Sequence, residues 1–539
     1  MPFGENADIA IYGATSAEVM AAVQARRMGK TVVLLEPGQH IGGMATSGLQ
    51  TTDIGRREVI GGLAREYYQR AYAWYLSPRA WLSETRADYI PKHRDTFYEA
   101  QKMQFFIEPH VAENLFNEFL REHGVDVIFG ERLDRTPPSG GTTATAPAAV
   151  RKEGPRITTI RMESGRTLSA RMFIDATYEG DLMAAAGVRH MLGREPNSRF
   201  DETLNGIRCQ APTRVDPYVR RGEPASGLLP GIEPAQPGAD GTGDRRIQAY
   251  NFRVCLTDVS GNRLPIPWPD NYDAAHYELL ARELEEKADH FPGRSLFKLS
   301  PLPNRKTDSN NHGFFSTDFI GHSHDWPEAG YARRAEIWRA HHDYTLGFFR
   351  FPGNDARVPQ AVRKEVRRWG LPADEFPDSG HWPRLLYVRE ARRLHGPYVI
   401  TEHDCAGRTS APDPVGMGSY HMDSHPVSRY AGPDGRLCMD GNFFERLDPY
   451  GISYRALTPR EEECVNLLVP VCVSATHVAY GSVRMEPVFM ILGQSAATAA
   501  AQAIDAAQAI QQVDYEKLRT QLLQDGQILE FPAGGGKSK

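Results

Sequence analysis

Near residue 420 the chain reads Tyr420-His421-Met422-Asp423-Ser424-His425. On an extended strand, residues two apart share a face, so His421, Asp423 and His425 would project together. On a helix, Asp423 would point away from both histidines. Gly416, Gly418 and Pro426 flank the run and favour the extended form. Three readings are open. One imidazole can remove a hydroxyl proton while Asp423 holds or charge-stabilises the imidazolium. Two imidazoles and a carboxylate also suit zinc or iron, but three ligands from one strand are cramped around a single ion, so no metal is assigned. The histidines can instead satisfy hydrogen bonds in a loop that frames a cavity. A second polar run, Tyr387 to Arg393, places Arg389 and Arg393 four apart, where one helix face would carry both. They could bind a carboxylate or polar substrate or steady negative charge on a reduced cofactor. Ion pairs with Glu390 or Glu402 are the equal alternative. A third run, Asn304 to Gly313, is nearly all polar, as a polyhydroxylated ligand or a solvated loop would require. We take His421, His425, Asp423 and Arg389 as the candidate catalytic residues.

The element that must position this chemistry lies at the other end of the chain. Ile9-Ala-Ile-Tyr12 is a strand, Gly13-Ala14-Thr15-Ser16-Ala17-Glu18 opens an Ala-rich helix, and Thr31 to Glu36 is a second strand ending in an acid. A parallel β-α-β unit sets a helix N-terminus beneath a dinucleotide pyrophosphate. Glu36 can accept hydrogen bonds from ribose hydroxyls and would repel a 2′-phosphate. The expected ligand is therefore FAD or NAD rather than NADP. The glycine fingerprint is incomplete: Thr15 and Glu18 stand at its second and third positions. An acid there must turn outward or find a partner, or the helix must stand further from the strand.

A second glycine-rich loop follows the acid: Gly42-Gly43-Met44-Ala45-Thr46-Ser47-Gly48-Leu49. With it the chain resembles bacterial FAD-dependent oxidoreductases of the glutathione-reductase superfamily. The match is to a family some of whose members carry the name "xanthan lyase", a name not taken as an activity. Thr15 follows that family's pattern; Glu18 departs from it. Further strings of the family appear in order: Glu108-Pro109-His110, Asp175 to Asp181, Lys306-Thr307-Asp308, Tyr420-x-x-Asp423-x-His425, and Arg484-x-Glu486-Pro487-x-x-Met490-x-x-Gly493-Gln494. The resemblance implies that FAD is held by Gly13, Ala14, Thr15, Ser16, Ala17 and Glu36, and by Gly42, Gly43, Met44, Thr46, Ser47 and Gly48. It adds Val127, the turn residues Ala176, Thr177 and Gly180, and the late helix at Gly493, Gln494 and Ser495. Asp53 follows the second loop and can line the flavin pocket. His40 is expected to support the cofactor loop rather than carry a covalent bond.

The expected fold class is α/β: a Rossmann-like FAD-binding domain, glutathione-reductase/fumarate-reductase-like, with an inserted mixed α+β substrate/cap domain. Residues 1–205 form its first part, 206–440 the insertion, 441–530 its C-terminal part and 531–539 a disordered tail. The aromatic run from Tyr67 to Tyr75 reads as helix packing. The net charge of -6 gives no reason to expect nucleic acid. No run of eighteen apolar residues is present, so no membrane partner is expected. Six scattered cysteines without a close pair read as thiols of a cytoplasmic protein and argue against disulfide redox chemistry. The resulting expectation is an oxidase or dehydrogenase. It transfers a hydride to flavin N5 from a hydroxyl-bearing carbon of a polar small molecule, a sugar or glycoside being one such class, with histidine taking the proton. The electron acceptor, oxygen or another, and the oligomeric state are left open. A flavin-dependent lyase or isomerase and a non-catalytic flavin-binding protein are the alternatives.

Overall fold

The computed structural model describes residues 6–93, 97–135, 149–209, 215–286, 296–432 and 434–531. Of the tail expected at 531–539, residues 532–539 lie outside them, as do parts of the Pro- and Gly-rich stretches at 134–156 and 210–246. In chain order, the elements that concern the site begin with β1 (Asn6–Tyr12), α1 (Ser16–Arg27), β2 (Val32–Glu36), α2 (Gly62–Leu76), α3 (Pro109–Glu122) and β3 (Val127–Phe129). They continue with β4 (Val150–Glu153), β5 (Arg156–Arg161), β6 (Thr167–Asp175), β7 (Val254–Thr257), β8 (Lys298–Leu302), β9 (Lys306–Asn310) and α4 (Tyr331–Asn354). Last come β10 (Met422–Ser424), β11 (Phe443–Glu445), β12 (Leu467–Leu468), α5 (His477–Val483) and α6 (Glu486–Asp505).

The main sheet runs β3-β2-β1-β6-β5-β4, with β12 also paired to β6. β1 lies parallel to both β2 and β6, and β2 lies parallel to β3. Its residues Ile9 to Tyr12 are all buried, which is why they read as a continuous apolar run rather than an alternating one. From β1 the chain moves out to β2 and β3 on one side and returns to β6 on the other. That reversal opens a crevice at the carboxyl ends of β1 and β2, where open α/β sheets bind ligands. The hairpin expected from Ile157 to Leu168 forms between β5 and β6, with Thr159 opposite Ser169. The long intervening chain builds smaller sheets, among them the antiparallel set β7-β9-β8.

α1 is buried from Ser16 to Ala25, enclosed by the sheet and by α6. Small side chains allow this. A Cβ on Gly493 would lie 2.0 Å from the carbonyl oxygen of Ala17, so the two helices touch backbone to backbone. Gly493→Val is expected to cost about 1–3 kcal/mol or more through overpacking, because neither helix can retreat from the sheet. Urea unfolding checks it; a change below about 0.5 kcal/mol would mean the contact yields freely. α6 reaches the length and hydropathy of a membrane span, yet 94% of that stretch is buried inside the molecule. Its apolarity belongs to a central core helix. The aromatic run of α2 is core as well: Tyr67, Tyr68 and Tyr75 are buried, and Tyr67 stacks on Phe116 of α3 at 4.4 Å.

Two local expectations fail. Gln248 to Thr257 alternates like a strand in sequence, yet the strand is confined to β7; of residues 248–251 only Asn251 bridges a neighbour, Tyr387. Arg389 and Arg393 share no helix: Arg389 lies in irregular chain and Arg393 begins a short strand against Met191. They therefore serve different partners.

Candidate active site

A cavity of about 620 Å³ opens at the ends of β1, β2 and β6. That is the size of a pocket for a drug-sized or cofactor-sized ligand. Gly13, Ala14 and Thr15 line it from the first turn, Glu36 to His40 from the end of β2, and Thr177 to Glu179 from the end of β6. Gly13 turns the chain with φ +94, a left-handed conformation that glycine adopts without strain. The Glu36 carboxylate accepts from the backbone N–H of Ala14 at 2.6 Å and of Gly38 at 2.5 Å. Burial pushes its pKa up to about 7 against those hydrogen bonds. The acid thus stands at the sugar end of the cradle, where a ribose diol can take over its hydrogen bonds. Trp338, Leu386 and Val388 give the cavity an apolar wall. A left-handed glycine turn, an acid at the end of β2 and an apolar wall fit FAD.

The other residues assigned to the cofactor divide between lining and support. Gly43, Ser47 and Thr177 line the cavity. The Ser16 hydroxyl donates to Glu486 at 2.5 Å. Tyr178 donates to the same carboxylate at 2.7 Å and accepts from Met44 N–H at 2.8 Å. Burial pushes Glu486 up to about 7. This carboxyl knots α1, the second glycine loop and α6 together. Thr46, one of the residues the resemblance assigns to FAD, is buried and donates its hydroxyl to the Ile41 carbonyl at 2.6 Å. Gly42 packs against Phe116, Gly180 against Met183, and Gly48 against the Arg253 backbone. Ala176 accepts from the Thr15 hydroxyl through its carbonyl. Val127 pairs with Leu34 inside the sheet. Ala17 is the seat of Gly493.

The late helix needs a correction. α6 begins at Glu486, so Gly493, Gln494 and Ser495 lie more than a turn inside it, and none lines the cavity. Gln494 accepts from Leu63 N–H at 2.8 Å, and Ser495 donates to the Val415 carbonyl at 2.7 Å. These side chains fix α6 against its neighbours. His40 does line the cavity, with Nδ1 2.8 Å from Glu113 and Nε2 2.6 Å from Asp378. Both ring nitrogens are engaged, in keeping with a supporting role.

Glu18 neither points outward nor pushes α1 away. It is fully buried, and its Oε2 accepts from Thr15 N–H at 2.6 Å. Thr15-x-x-Glu18 is the spacing of a helix capping box, the signal that explains an acid at this position.

β10 is extended, and His421, Asp423 and His425 do share a face, with Met422 and Ser424 buried on the other. None of the three, nor Arg389, lines the cavity. His425, Asp423 and Arg389 belong to a polar network that joins the 386–388 segment lining the cavity. Leu386 and Val388 face the cavity, whereas Tyr387 accepts from Arg484 at 2.9 Å and Arg389 pairs with Asp318 at 3.1 Å. His425 lies between two acids, with Nδ1 2.8 Å from Asp318 and Nε2 3.5 Å from Asp423. Arg484 also reaches Asp423 at 3.1 Å. Burial alone would raise Asp423, but His425, Arg484 and Arg389 hold it down to about 2. His421 stands apart. Its ring packs on Tyr420 and Phe444, and its Nδ1 has no partner among the described residues. Burial and the Arg446 cation lower its pKa, so it is neutral at pH 7. Sequence reasoning missed Asp318, which reaches His425 across 107 residues with no local signal.

The polar 304–313 run is committed to structure. Lys306 Nζ contacts Glu108, Asp374 and Glu375 at 2.9, 2.7 and 2.6 Å. Glu108, His110 and Glu375 come close enough to ligate a metal, but the lysine already supplies their cation. Asn304 donates to Glu108 and to the Ala80 carbonyl. Asp308 is buried and accepts from Gln50, Thr51 and Arg253, tying β9 to the second glycine loop.

The sheet topology and the cradle define a dinucleotide-binding α/β protein of the flavoprotein class. The chain belongs to the FAD dependent oxidoreductase family, whose sequence profile matches residues 8–522. As a member of that family it is an oxidoreductase by class, with FAD as its cofactor. No curated protein sequence matches it significantly. Solved structures similar to parts of it include a flavin monooxygenase mutant from Stenotrophomonas maltophilia, at 13% identity over 36% of this chain and 43% of that one, with a TM-score of 0.20. Another is an L-amino acid deaminase from Proteus vulgaris, at 12% identity over 36% of this chain and 53% of that one, with a TM-score of 0.24. The matches span about half or less of those proteins and assign no activity here.

Proposed function

We propose that the protein oxidises a hydroxyl-bearing carbon of a polar small molecule, with His421 as the base. Bound FAD supplies the hydride acceptor. The reading rests on one contrast within the cluster: His421 is neutral with an unpartnered ring nitrogen, whereas both nitrogens of His425 face carboxylates. The His421 imidazole takes the hydroxyl proton as the C–H bond breaks. Asp423, held ionised, stabilises the imidazolium that results. Asp318 and His425 orient Asp423, and Arg484 fixes it against the Tyr387 wall. Residues 206–440 serve as the inserted cap of a glutathione-reductase-like fold. Two ties support this: Asp308 bonds to the Gln50–Thr51 loop, and Arg334 of α4 pairs with Asp181 at 2.6 Å.

The test is anaerobic mixing of the holoprotein with a panel of polyols, sugars and hydroxy acids, following flavin absorbance and analysing the product. Bleaching with a carbonyl product is expected. A product of unchanged oxidation state would overturn the reading in favour of a lyase or isomerase.

A further inference from the structure

Glu18 is the residue of the cofactor cradle that fits it least. Its side chain is fully enclosed; the Ala176 N–H, which donates to the Tyr12 carbonyl, also faces the carboxyl, and Oε1 makes no well-formed hydrogen bond among the described residues. Oε2 holds the Thr15 N–H, a donor at the positive end of α1. A Cβ on Gly13 would lie 2.6 Å from Oε1 and 2.9 Å from Oε2, so the carboxyl lies directly against the turn that lines the cavity. The ionisable groups around it are acids on every side. Glu36 faces it from β2 and Asp175 from β6. Glu486 approaches from α6 through Ser16, and Glu179 faces Glu36 from the turn after β6. Among the described residues no lysine, arginine or histidine pairs with Glu18.

We propose that Glu18 is a built-in competitor of the FAD pyrophosphate, so that its ionisation weakens cofactor binding and its protonation permits it. A carboxylate at this place uses a helix N-terminal donor that a phosphate would otherwise take, and it repels the phosphate across the turn. A carboxylic acid there retains the Thr15 bond without the charge. Burial and the neighbouring Glu36 raise the Glu18 pKa well above the carboxylate range. The sign follows from linkage. FAD favours the protonated form, so binding takes up a proton, and affinity falls as pH rises through the Glu18 transition.

The test is FAD titration of the apoprotein, read by quenching of flavin fluorescence from about pH 6 to about pH 9, where each proton taken up steepens Kd by up to about tenfold per pH unit. Glu18→Gln keeps the shape and one hydrogen-bond acceptor. It should bind FAD more tightly at the alkaline end and show a shallower slope, any residual slope belonging to Glu36. Glu18→Gly should also bind at least about tenfold more tightly there. A second readout needs no cofactor. The folded apoprotein holds the Glu18 proton to higher pH than the unfolded chain, so its stability is fullest below the ordinary carboxylate pKa and is lost as pH rises through the raised one. The apoprotein Tm of Glu18→Gln should therefore exceed that of the parent by a margin that widens with pH. Parallel Kd profiles for parent and Glu18→Gln, or a Tm difference that ignores pH, would overturn the proposal.

Discussion

The flavin of the His421→Ala protein is expected to be reduced by substrate roughly 10²–10⁴-fold more slowly than that of the parent chain, with FAD still bound. Loss of a general base at an otherwise intact site has that magnitude. His421 contributes nothing to the cofactor cradle, so FAD content should not change. The pH profile carries the more specific expectation. Reduction in the parent should slow on the acid side, through a transition below the ordinary imidazole value, because burial and Arg446 disfavour the charged ring. His421→Ala should lack that acid limb. His425→Ala should retain it, since His425 acts by holding Asp423 and Asp318. Anaerobic stopped-flow absorbance across pH checks all three. Equal rates for His421→Ala and the parent would remove His421 from the mechanism and return the cluster to a framing role.

Asp308→Ala is expected to destabilise the fold by about 3–5 kcal/mol, the cost of breaking one side of a buried ion pair. The carboxylate is inaccessible to solvent and accepts from Arg253 through both Nε and Nη2, at 2.9 and 2.5 Å. It also accepts from the backbone N–H groups of Gln50 and Thr51. Truncation strands a buried cation and both Thr51 donors, its N–H and its hydroxyl, while the Gln50 N–H keeps the Gly48 carbonyl at 2.9 Å. Among the described residues, Asp53, 3.5 Å from Arg253, remains as a more distant acidic partner. Adding Arg253→Met should recover part of the loss, because the uncompensated charge goes with it. The same bonds pin the Gln50–Thr51 loop beside the cradle, so Asp308→Ala should also hold FAD less tightly. Denaturant unfolding of single and double variants measures the first effect and FAD titration the second. A loss under about 1 kcal/mol would show that water reaches Arg253.

Much of this protein is written locally. The β-α-β unit, Gly13 and the terminal acid Glu36 follow from strand and helix periodicity and from the backbone freedom of one residue. These short-range rules act over a few residues. The extended form of residues 421–425 is equally local: flanking glycines and a proline set it, and the alternation of faces follows from backbone geometry. Sequence also contained the reason for Glu18, a residue three positions after a threonine at a helix start.

Tertiary structure decided the rest, because it depends on which surfaces meet. The Arg484–Gln494 string marks an ordered helix, but only packing shows that Glu486 clasps Ser16 and Tyr178 while Gly493 admits the Ala17 backbone. Spacing placed Arg389 and Arg393 on a common helix face; chain pairing at Asn251 and at Met191 sends Arg389 to Asp318 and Arg393 to Glu195 and to Glu390, the ion-pair alternative. Lys306 and Asp308 looked like ligand groups because they are polar, and burial turned them into ties between segments. The two histidines of the cluster are chemically identical in sequence. What separates them is Asp318, brought from 107 residues away to occupy one ring and not the other. Residue type sets what a side chain can do, and the long-range neighbours it meets decide which of those things it does.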